Sequence, residues 1–263
     1  MHPKLFTIPL PDFLSRLLGV INITIYTYAF CIVLGAVIAS LLIKRMSKAA
    51  LNGLVLPNSF FYKIFLAGFI GGKLFCYLEA PVFYINNPAA ALNIFSGGFV
   101  CYGSVIFIAL FVIFYCRKNK INTYGLLDII AIAAVIPQIL GRLGCFFAGC
   151  CYGKPTDSYL GVVFPNPAAV HVHPTQLYEA VLLSIVFISM LIANKHKKIN
   201  GQVFMFYVFA YAAVRFSLEF IRGDFRGSFF NGLISHSQAI AIATLCLASF
   251  LFFKLKKEYQ PIT

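Results

Sequence analysis

Three cysteines, Cys145, Cys150 and Cys151, lie in one short glycine-rich segment of the sequence that also contains Arg142. The segment reads Gly141-Arg-Leu-Gly-Cys-Phe-Phe-Ala-Gly-Cys-Cys-Tyr-Gly153. Its glycines permit a close approach of two backbones or a tight exit from a helix. A thiol becomes reactive when a neighbouring cation stabilises its thiolate form. The pattern therefore indicates a segment built around a site.

The sequence leaves three interpretations of these cysteines open. The thiols line or pack a site, they form a disulfide in an oxidising compartment, or they bind a metal ion together with His171 and His173. The spacing Cys-x4-Cys-Cys, followed twenty residues later by His-x-His, matches none of the common zinc patterns. We therefore expect no metal ion and no other cofactor.

A second group of charged residues repeats at helical spacing near the end of an apolar run. Arg215, Glu219 and Arg222 share one face of a helix, because residues three or four apart are neighbours on its surface. One explanation is a structural ion pair within a helical bundle. The other is an anion site, because Arg142 and Arg215 carry more positive charge than Glu219 neutralises. Another carboxylate of the chain can supply the missing charge, and so can a lipid phosphate, which a guanidinium binds through two parallel hydrogen bonds.

The composition indicates that membrane helices carry these residues. Of the 263 residues, 60% are hydrophobic and 11% are charged, whereas an ordinary soluble domain has roughly 25% charged residues. The formal net charge of +13 comes from short basic clusters between long apolar runs. Because these clusters form no continuous basic stripe, we expect no nucleic-acid partner.

Seven apolar segments qualify as membrane-spanning helices, each of which needs roughly 20 apolar residues. They cover approximately residues 21–43, 60–78, 99–116, 129–148, 176–193, 203–221 and 237–253. The predicted fold is thus an all-α integral membrane protein, with residues 1–263 in a single transmembrane domain. The first apolar run lacks a cleavage site and is expected to remain as a helix. We expect a short interfacial helix within the twenty residues before it.

Basic residues mark every second connection between the predicted spans. Three lysines or arginines follow the first, third, fifth and seventh spans, whereas the loop 81–98 has none and the loop 149–175 has one. By the positive-inside rule, this alternation places the N-terminus outside and the C-terminus in the cytoplasm.

This orientation places the charged residues of the spans in the outer half of the membrane. They are Lys73, Glu79, Arg142, Glu179, Arg215 and Glu219, with Tyr26 and Tyr102 near the outer starts of their spans. Charged groups inside a bilayer are costly and usually functional, so their grouping on one side predicts a site there. Asp128, at the inner end of the fourth span, is interpreted as a helix-end residue.

The segment around Arg142 resembles the signature of the bacterial prolipoprotein diacylglyceryl transferases, Gly-Arg-x-Gly-Asn-Phe-x-Asn-x-Glu-x-x-Gly. The matching residues are Gly141, Arg142, Gly144, Phe146 and Gly153. The resemblance extends along nearly the whole chain. It includes Tyr26, Gly97-Gly98, His173-Pro-Thr-Gln-Leu-Tyr-Glu179, Arg215-Phe-Ser-Leu-Glu-Phe220 and Ser237-Gln238. Together, the order and placement of these motifs are specific.

The resemblance implies a seven-helix enzyme of the bacterial plasma (inner) membrane. Such an enzyme transfers the diacylglyceryl group of phosphatidylglycerol to the lipobox cysteine thiol of a prolipoprotein at the outer face, releasing glycerol phosphate. The implied partners are phosphatidylglycerol, other membrane lipids and prolipoprotein precursor peptides. A thiolate attacks a glyceryl carbon while cations hold the departing phosphate. By resemblance, Arg142 engages the lipid headgroup, and Arg215 and Glu219 complete the essential polar cluster.

Four positions depart from the family pattern. Cys145, Ala148 and Cys150 replace the two asparagines and the glutamate of the signature, and Tyr102 stands where the family's usual histidine is expected. That histidine is the candidate base of the family, whereas a tyrosine, with a pKa of about 10, is a poor base at neutral pH. The remaining candidates for the base are Glu219, Glu179, His173 and a Cys150 of lowered pKa.

The predicted site therefore has two groups of residues. The catalytic group is Arg142, Arg215, Glu219, Tyr102 and Cys150. The substrate-binding group is Tyr26, Cys145, Arg222, His173 and Glu179. Alternative functions are a phosphatidylglycerol-using transferase with another acceptor, a lipid transporter, and a thiol redox or metal-binding membrane protein. A transporter would hold its polar residues near the midplane of the membrane, whereas here they are predicted on one side.

Overall fold

The computed structural model of the chain is mostly helical, and its helices follow the apolar runs of the sequence. The structure describes residues 3–9, 13, 22–51, 53–88, 90, 99–165, 170–223, 228–229, 234–235, 238–239, 242, 245–246 and 249. Helices α1 to α7 cover, in order, Thr27–Ala50, Asn58–Glu79, Pro81–Asn86, Cys101–Lys118, Thr123–Ala148, Thr175–His196 and Gln202–Glu219. A helix satisfies its own amides, which is why apolar runs in a membrane adopt this structure.

The first six predicted spans correspond to α1, α2, α4, α5, α6 and α7. The seventh predicted span, 237–253, lies largely outside the described residues, as does the Gly97-Gly98 pair. Within the described part of the chain, four helices are long and apolar enough to cross a membrane, judged by length and composition: α1, α2, α5 and α6. These helices confirm the predicted class of helical membrane protein.

Short antiparallel strand pairs, which the sequence did not predict, accompany the helices. Strand β1 (Lys4–Pro9) pairs with β2 (Asn22–Tyr26). Two further pairs are β3 (Val162–Val163) with β4 (His171–Val172), and β5 (Ser228–Phe229) with β6 (Ile234–Ser235).

The first strand pair changes one expectation about the start of the chain. Residues 4–9 form a strand, and the first long helix begins at Thr27 rather than near residue 21. The interfacial helix expected before that span falls on residues that lie largely outside the described part of the chain. The β-branched residues of the sequence Asn22-Ile-Thr-Ile-Tyr26 favour an extended strand over a helix. Tyr26 therefore ends a strand, and the prediction that it lies within the first span was wrong.

Contacts within the chain group its residues into two units. Unit 1 comprises Met1–Ile43 and Leu127–Thr263, and unit 2 comprises Lys44–Leu126. Unit 1 holds most of α1 and α5 and all of α6 and α7. Its core is formed by buried apolar side chains of α5, α6 and α7, which are Ile132, Val135, Leu183, Met190, Val203 and Met205.

Within unit 2, α2 and α4 pack closely through glycines. A Cβ atom placed on Gly71 would lie 2.7 Å from the Cβ of Phe107, and one placed on Gly103 would lie 2.7 Å from the Cβ of Phe75. Beside this contact, the Ser104 hydroxyl donates a 2.7 Å hydrogen bond to the carbonyl of Gly68. Small residues at a helix interface let two backbones approach, which is how membrane helices gain packing energy.

Within unit 1, α1 and α5 meet at Gly144. A Cβ atom at this position would lie 3.0 Å from the Cα of Tyr28 and 3.2 Å from the Cβ of Cys31. The expectation that glycines of the 141–153 segment allow close backbone approach is confirmed here. This contact fixes the last turns of α5, where Arg142 and Cys145 lie.

Asp128, in the second turn of α5, ties together three helices of unit 1. Its fully buried carboxylate accepts hydrogen bonds from Lys197 Nζ at 3.0 Å, the Gly201 amide at 2.9 Å and the Phe204 amide at 2.8 Å. The two amides belong to the start of α7, where backbone donors have no partner within the helix. This arrangement agrees with the interpretation of Asp128 as a helix-end residue.

Candidate active site

The C-terminal end of α5 folds the chain back so that the three cysteines of the segment meet. The Cys150 amide donates a 3.2 Å hydrogen bond to the Cys145 carbonyl, and the Gly149 amide donates one of 3.1 Å to the Phe146 carbonyl. Gly149 has a left-handed φ of 70°, as is typical at a helix C-terminus. Cys151 also has a left-handed φ, 62°, which is unusual for a residue with a side chain.

The sulfur atoms of Cys145, Cys150 and Cys151 all lie within 4.8 Å of one another. Cys145 is buried, Cys151 is half-buried and Cys150 is exposed, and all three are free thiols. The Cys150 thiol donates a 3.7 Å hydrogen bond to the Cys145 carbonyl. We call this group the cysteine cluster.

A hydrogen bond from a neighbouring thiol, together with nearby positive charges, lowers the pKa of Cys151. The pKa of the Cys151 thiol is lowered to about 5, first because of its hydrogen bond with Cys145 and further because of the positive charges of Arg142 and Arg222. Burial instead raises the pKa of the Cys150 thiol. The expectation of a lowered pKa at Cys150 was therefore wrong, and the lowered pKa belongs to Cys151.

Side chains from the start of α6 hold the loop that carries the cluster. Thr175 Oγ1 donates a 2.8 Å hydrogen bond to the Cys151 carbonyl, and Gln176 Nε2 donates one of 2.6 Å to the Cys150 carbonyl. Both side chains are buried. The run from His173 to Glu179 belongs to the family resemblance, but the sequence alone indicated no role for Thr175 and Gln176. The feature that could have indicated a role for them is their position two and three residues after His173, within the same motif.

The loop after the cluster is also held by backbone hydrogen bonds. The Gly153 amide donates to the His173 carbonyl at 2.8 Å, and the Lys154 amide donates to the Ile221 carbonyl at 2.9 Å. A Cβ on Gly153 would lie 2.5 Å from that same Ile221 carbonyl oxygen. The loop is thereby fixed between the start of α6 and the residues that follow α7.

Two arginines and two glutamates from α5, α6 and α7 form a continuous chain of ion pairs. Glu179 Oε1 lies 2.9 Å from Arg142 Nη2, and Glu179 Oε2 lies 3.8 Å from Arg215 Nη1. Arg215 Nη2 lies 3.3 Å from Glu219 Oε2 on the same helix. We call these four residues the ion-pair chain. Glu179 supplies the negative charge that the sequence left unassigned.

Arg142 is the member of the ion-pair chain best placed to meet a ligand. Its side chain is 22% exposed, against 10% for Arg215 and 4% for Glu179. Glu179 contacts one nitrogen of the Arg142 guanidinium, and a guanidinium has five N–H donors. Arg142 can therefore hold an anion while it stays paired with Glu179.

The structure brings together most of the predicted site residues of unit 1. Besides the cysteine cluster and the ion-pair chain, Arg222 is buried beside the loop and pairs through its backbone with Gly153. His173 is half-buried, and its Nδ1 lies 3.3 Å from the Tyr178 hydroxyl. Tyr26 is 53% exposed at the end of β2. Tyr102 lies in unit 2, in the first turn of α4, so its part in the site stays a prediction.

A polar pair missed by the sequence analysis lies one turn before Arg142. Gln138 Nε2 donates a 2.5 Å hydrogen bond to the Tyr207 hydroxyl of α7, and the Tyr207 ring stacks on that of Tyr211. A glutamine four residues before an arginine on an apolar helix was the available signal, because it shares the face of that arginine.

The polar groups of unit 1 divide between the two ends of its helices. The ion-pair chain and the cysteine cluster lie where α5 and α7 end and α6 begins, whereas Asp128 and Lys197 lie where α6 ends and α7 begins. Fourteen residues separate Asp128 from Arg142, which corresponds to about 21 Å along a helix. The cations and thiols of the site thus share one end of unit 1.

Comparison of this chain with known proteins identifies its family. The sequence pattern of the family described as prolipoprotein diacylglyceryl transferase matches residues 16–254. The chain belongs to the prolipoprotein diacylglyceryl transferase family. The resemblance predicted from the motifs, and with it the enzyme class of transferase, is confirmed.

Individual members of the prolipoprotein diacylglyceryl transferase family align with almost the whole chain. The phosphatidylglycerol–prolipoprotein diacylglyceryl transferase of Clostridium tetani is 35% identical over 236 residues, covering 88% of this chain and 93% of that protein. Transferase 2 of Clostridium perfringens is 33% identical over 243 residues, with 90% and 93% covered. The Campylobacter hominis transferase is 29% identical over 257 residues, with 92% and 91% covered.

Proposed function

We propose that the chain transfers the diacylglyceryl group of phosphatidylglycerol to the lipobox cysteine of prolipoproteins. Its relatives in Clostridium tetani and Clostridium perfringens are named for this activity and align over most of their length. The observation that carries the proposal is the ion-pair chain, which places Arg142 and Arg215 at the end of three apolar helices. Paired arginines at such a level suit the phosphate of a lipid headgroup.

The proposed reaction is a displacement at a glyceryl carbon. The acceptor thiolate forms a carbon–sulfur bond, the bond from that carbon to the phosphate oxygen breaks, and glycerol phosphate leaves with the electron pair. Arg142 binds the phosphate through the donors that Glu179 leaves available, and Arg215 adds positive charge behind it. Positive charge held in place before the reaction stabilises the developing phosphate charge without reorganisation.

The roles of individual residues in this proposal follow the sequence-based assignment. Arg142, Arg215, Glu219, Tyr102 and Cys150 form the catalytic group. Tyr26, Cys145, Arg222, His173 and Glu179 form the substrate-binding group. Two further roles are part of the proposal: Glu179 orients both arginines, which its ion pairs support, and Cys151 joins the group, which its position beside Cys145 and Cys150 supports.

We further propose that residues 1–263 form one multi-pass domain of the bacterial plasma membrane. It has seven membrane helices, with the N-terminus outside and the C-terminus in the cytoplasm. The alternation of basic loops supports this orientation. The site then faces the outer leaflet, where an exported prolipoprotein meets phosphatidylglycerol. Its partners are these two substrates and membrane lipids, with no nucleic acid.

A transfer assay with the purified chain in detergent micelles tests the proposed reaction. With phosphatidylglycerol and a lipobox peptide, mass spectrometry of the peptide should show an added diacylglyceryl thioether. Phosphatidylethanolamine as donor, or a peptide with serine in place of cysteine, should give no product. If phosphatidylglycerol is consumed but the peptide stays unmodified, the enzyme uses an acceptor other than the lipobox cysteine. Absence of both changes would refute the proposal.

Reporter insertions test the proposed orientation. A reporter that folds only outside the cytoplasm should be active when inserted after Asp157, in the loop between α5 and α6. A cytoplasmic reporter should be active when inserted after Lys120, in the loop between α4 and α5. The reverse pattern would contradict the orientation without affecting the proposed reaction.

A further inference from the structure

The cysteine cluster presents three thiols to one point at the end of α5. Sulfur atoms within 4.8 Å of one another, from Cys145, Cys150 and Cys151, are a ligand set for a thiophilic cation. We propose that these three cysteines bind one zinc ion and leave its fourth position open for the thiol of the acceptor substrate. This proposal replaces the expectation of no metal ion, which rested on sequence spacing alone.

The separation of the three sulfur atoms is close to what zinc requires. Zinc–sulfur bonds of about 2.3 Å in tetrahedral geometry place two sulfur atoms about 3.8 Å apart. The cluster therefore has to contract by about 1 Å at its widest separation of 4.8 Å or less. Small side-chain rotations supply that movement, because Cys150 is exposed and Cys151 is half-buried.

The loop around the cluster is held in an unusual conformation by partners outside it. Cys151 adopts a left-handed φ of 62°. This conformation is energetically unfavourable for a residue with a side chain. The buried side chains of Gln176 and Thr175 bond the carbonyls of Cys150 and Cys151 and maintain that conformation. Backbone strain maintained by the surrounding structure is typical of a functional site. Here, its effect is to place a third thiol beside the other two.

The local charges are compatible with a metal–thiolate group. Zinc with three thiolates carries one net negative charge, and the positive charges of Arg142 and Arg222 act on Cys151. The Cys145 carbonyl, in the last turn of α5, contacts the Cys150 thiol, and the C-terminal end of a helix favours a cation. Any thiol of the cluster that is still protonated releases its proton to solvent when it binds the metal.

Three ligands, rather than four, distinguish this cluster from a structural zinc site. In the described part of the chain, the group of adjacent ligand atoms contains the three cysteines and no histidine or carboxylate. Structural zinc sites have four protein ligands, whereas catalytic sites have three and keep one position for substrate. An open position also matches the exposure of Cys150, which leaves the cluster accessible.

An open zinc position gives the acceptor thiol a route to its reactive form, an inference that rests on the proposed function. A thiol that binds zinc loses its proton to water and becomes a thiolate. Its sulfur then forms the bond to the glyceryl carbon, and the phosphate oxygen keeps the electrons of the broken bond. Zinc remains in the same oxidation state throughout. The metal thereby does what a tyrosine at position 102 does poorly at neutral pH.

Metal analysis tests the site without measuring activity. The chain, purified in detergent without chelators, should contain close to one zinc per molecule by mass spectrometry of the elements. Cys145→Ser, Cys150→Ser and Cys151→Ser should each lower that content, and the triple variant should abolish it. Cys246→Ser is the matched control, because it removes an exposed thiol outside the cluster. Zinc that persists in the triple variant, or its absence from the unmodified chain, would overturn the proposal.

Metal replacement supplies a test that needs no variant. Cadmium bound by thiolates absorbs in the ultraviolet, and the band should correspond to three thiolates per chain. Cobalt in the same site should change its visible spectrum when a lipobox peptide with cysteine is added, but not with the serine peptide. A cobalt spectrum indifferent to the cysteine peptide would refute the open position. Copper found in the purified chain in place of zinc would refute the assignment of the metal.

Activity measurements separate this inference from the proposed function. If the zinc-free chain forms thioether as fast as the zinc-loaded chain, the role of zinc is refuted and the proposed function stands. If zinc binds and cobalt responds to the peptide but no thioether forms with phosphatidylglycerol, the proposed function is refuted and the metal site stands.

Discussion

Glu179 is the residue through which both arginines of the ion-pair chain are held. It is buried, and its two carboxylate oxygens face Arg142 and Arg215 separately. Glu219, by contrast, pairs within the ion-pair chain with Arg215 alone. Removing one member of a buried charge pair leaves the other uncompensated, and Glu179 serves two. The orientation of the cations therefore depends more on Glu179 than on Glu219.

Replacing the glutamates by glutamine should show this difference. Glu179→Gln is expected to lower both transfer activity and the thermal midpoint in detergent, because it weakens two interactions. One is the 2.9 Å charge-assisted contact with Arg142, worth about 1.5–3 kcal/mol, and the other is the longer 3.8 Å ion pair with Arg215. Glu219→Gln should lower the midpoint by less. Differential scanning fluorimetry in one detergent compares the two variants directly. Equal shifts would contradict the central position of Glu179.

The arginines themselves are expected to be essential for turnover. Arg142→Ala and Arg215→Ala should each lower the rate of thioether formation by at least about 100-fold, since each removes donors aimed at developing charge. Lys63→Ala, a cation in the first turns of α2, is the control and should retain full activity. Near-normal turnover in either arginine variant would remove that residue from the phosphate site.

At the scale of the helices, Asp128 stabilises unit 1 at the end away from the site. Its carboxylate bonds a lysine that follows α6 and two amides at the start of α7. It thereby fixes the spacing of α5, α6 and α7, which together carry the ion-pair chain. We expect this group to contribute to stability rather than to chemistry.

Asp128→Ala should therefore lower stability and spare the reaction. Loss of a buried carboxylate that serves one lysine and two amides is expected to cost about 3–5 kcal/mol. The fall in thermal midpoint measures this loss, while activity per folded molecule at low temperature should stay near that of the unmodified chain. Asp128→Asn, which keeps acceptor capacity, is expected to be milder. A specific loss of activity in folded Asp128→Ala would place the residue in the reaction.

The pairing of α2 and α4 in unit 2 depends on two glycines. Gly71→Ala should destabilise this pair by about 1–3 kcal/mol, because the added methyl group meets the Cβ of Phe107 and a backbone carbonyl. Gly68→Ala is the matched control, because its methyl group meets only the flexible end of Ile108 at 3.0 Å and more distant side-chain atoms. The thermal midpoint of Gly71→Ala should be lower than that of Gly68→Ala. Identical midpoints would contradict close packing at Gly71.

At the scale of the whole molecule, helices were the most predictable feature of the fold. Apolar runs of spanning length fix helix positions because a membrane leaves the backbone no other partner. Thus α6 begins at Thr175 and ends at His196, close to the predicted 176–193. The strand pair of 4–9 with 22–26 was missed, because the pairing joins segments that are distant in sequence and individually short.

The site was predictable as a set of residues but not as an arrangement. Motif order identified Arg142, Arg215 and Glu219, and the structure joins them through Glu179. The three cysteines were expected at one site, but the approach of all three sulfur atoms depends on the left-handed turn at Cys151, which spacing alone does not reveal. Spacing also does not reveal that the pKa of Cys151, rather than that of Cys150, is lowered, because this depends on the hydrogen bond with Cys145 and on the nearby arginines.

The stoichiometry of products is the most direct measurement of the central claim, that this end of unit 1 performs diacylglyceryl transfer. Purified chain, phosphatidylglycerol and a lipobox peptide should yield glycerol phosphate and peptide thioether in equal amounts, quantified in one reaction by mass spectrometry. Both products should depend on the peptide cysteine and disappear in Arg142→Ala. Glycerol phosphate released in excess of thioether, or neither product from a folded chain, would contradict the claim.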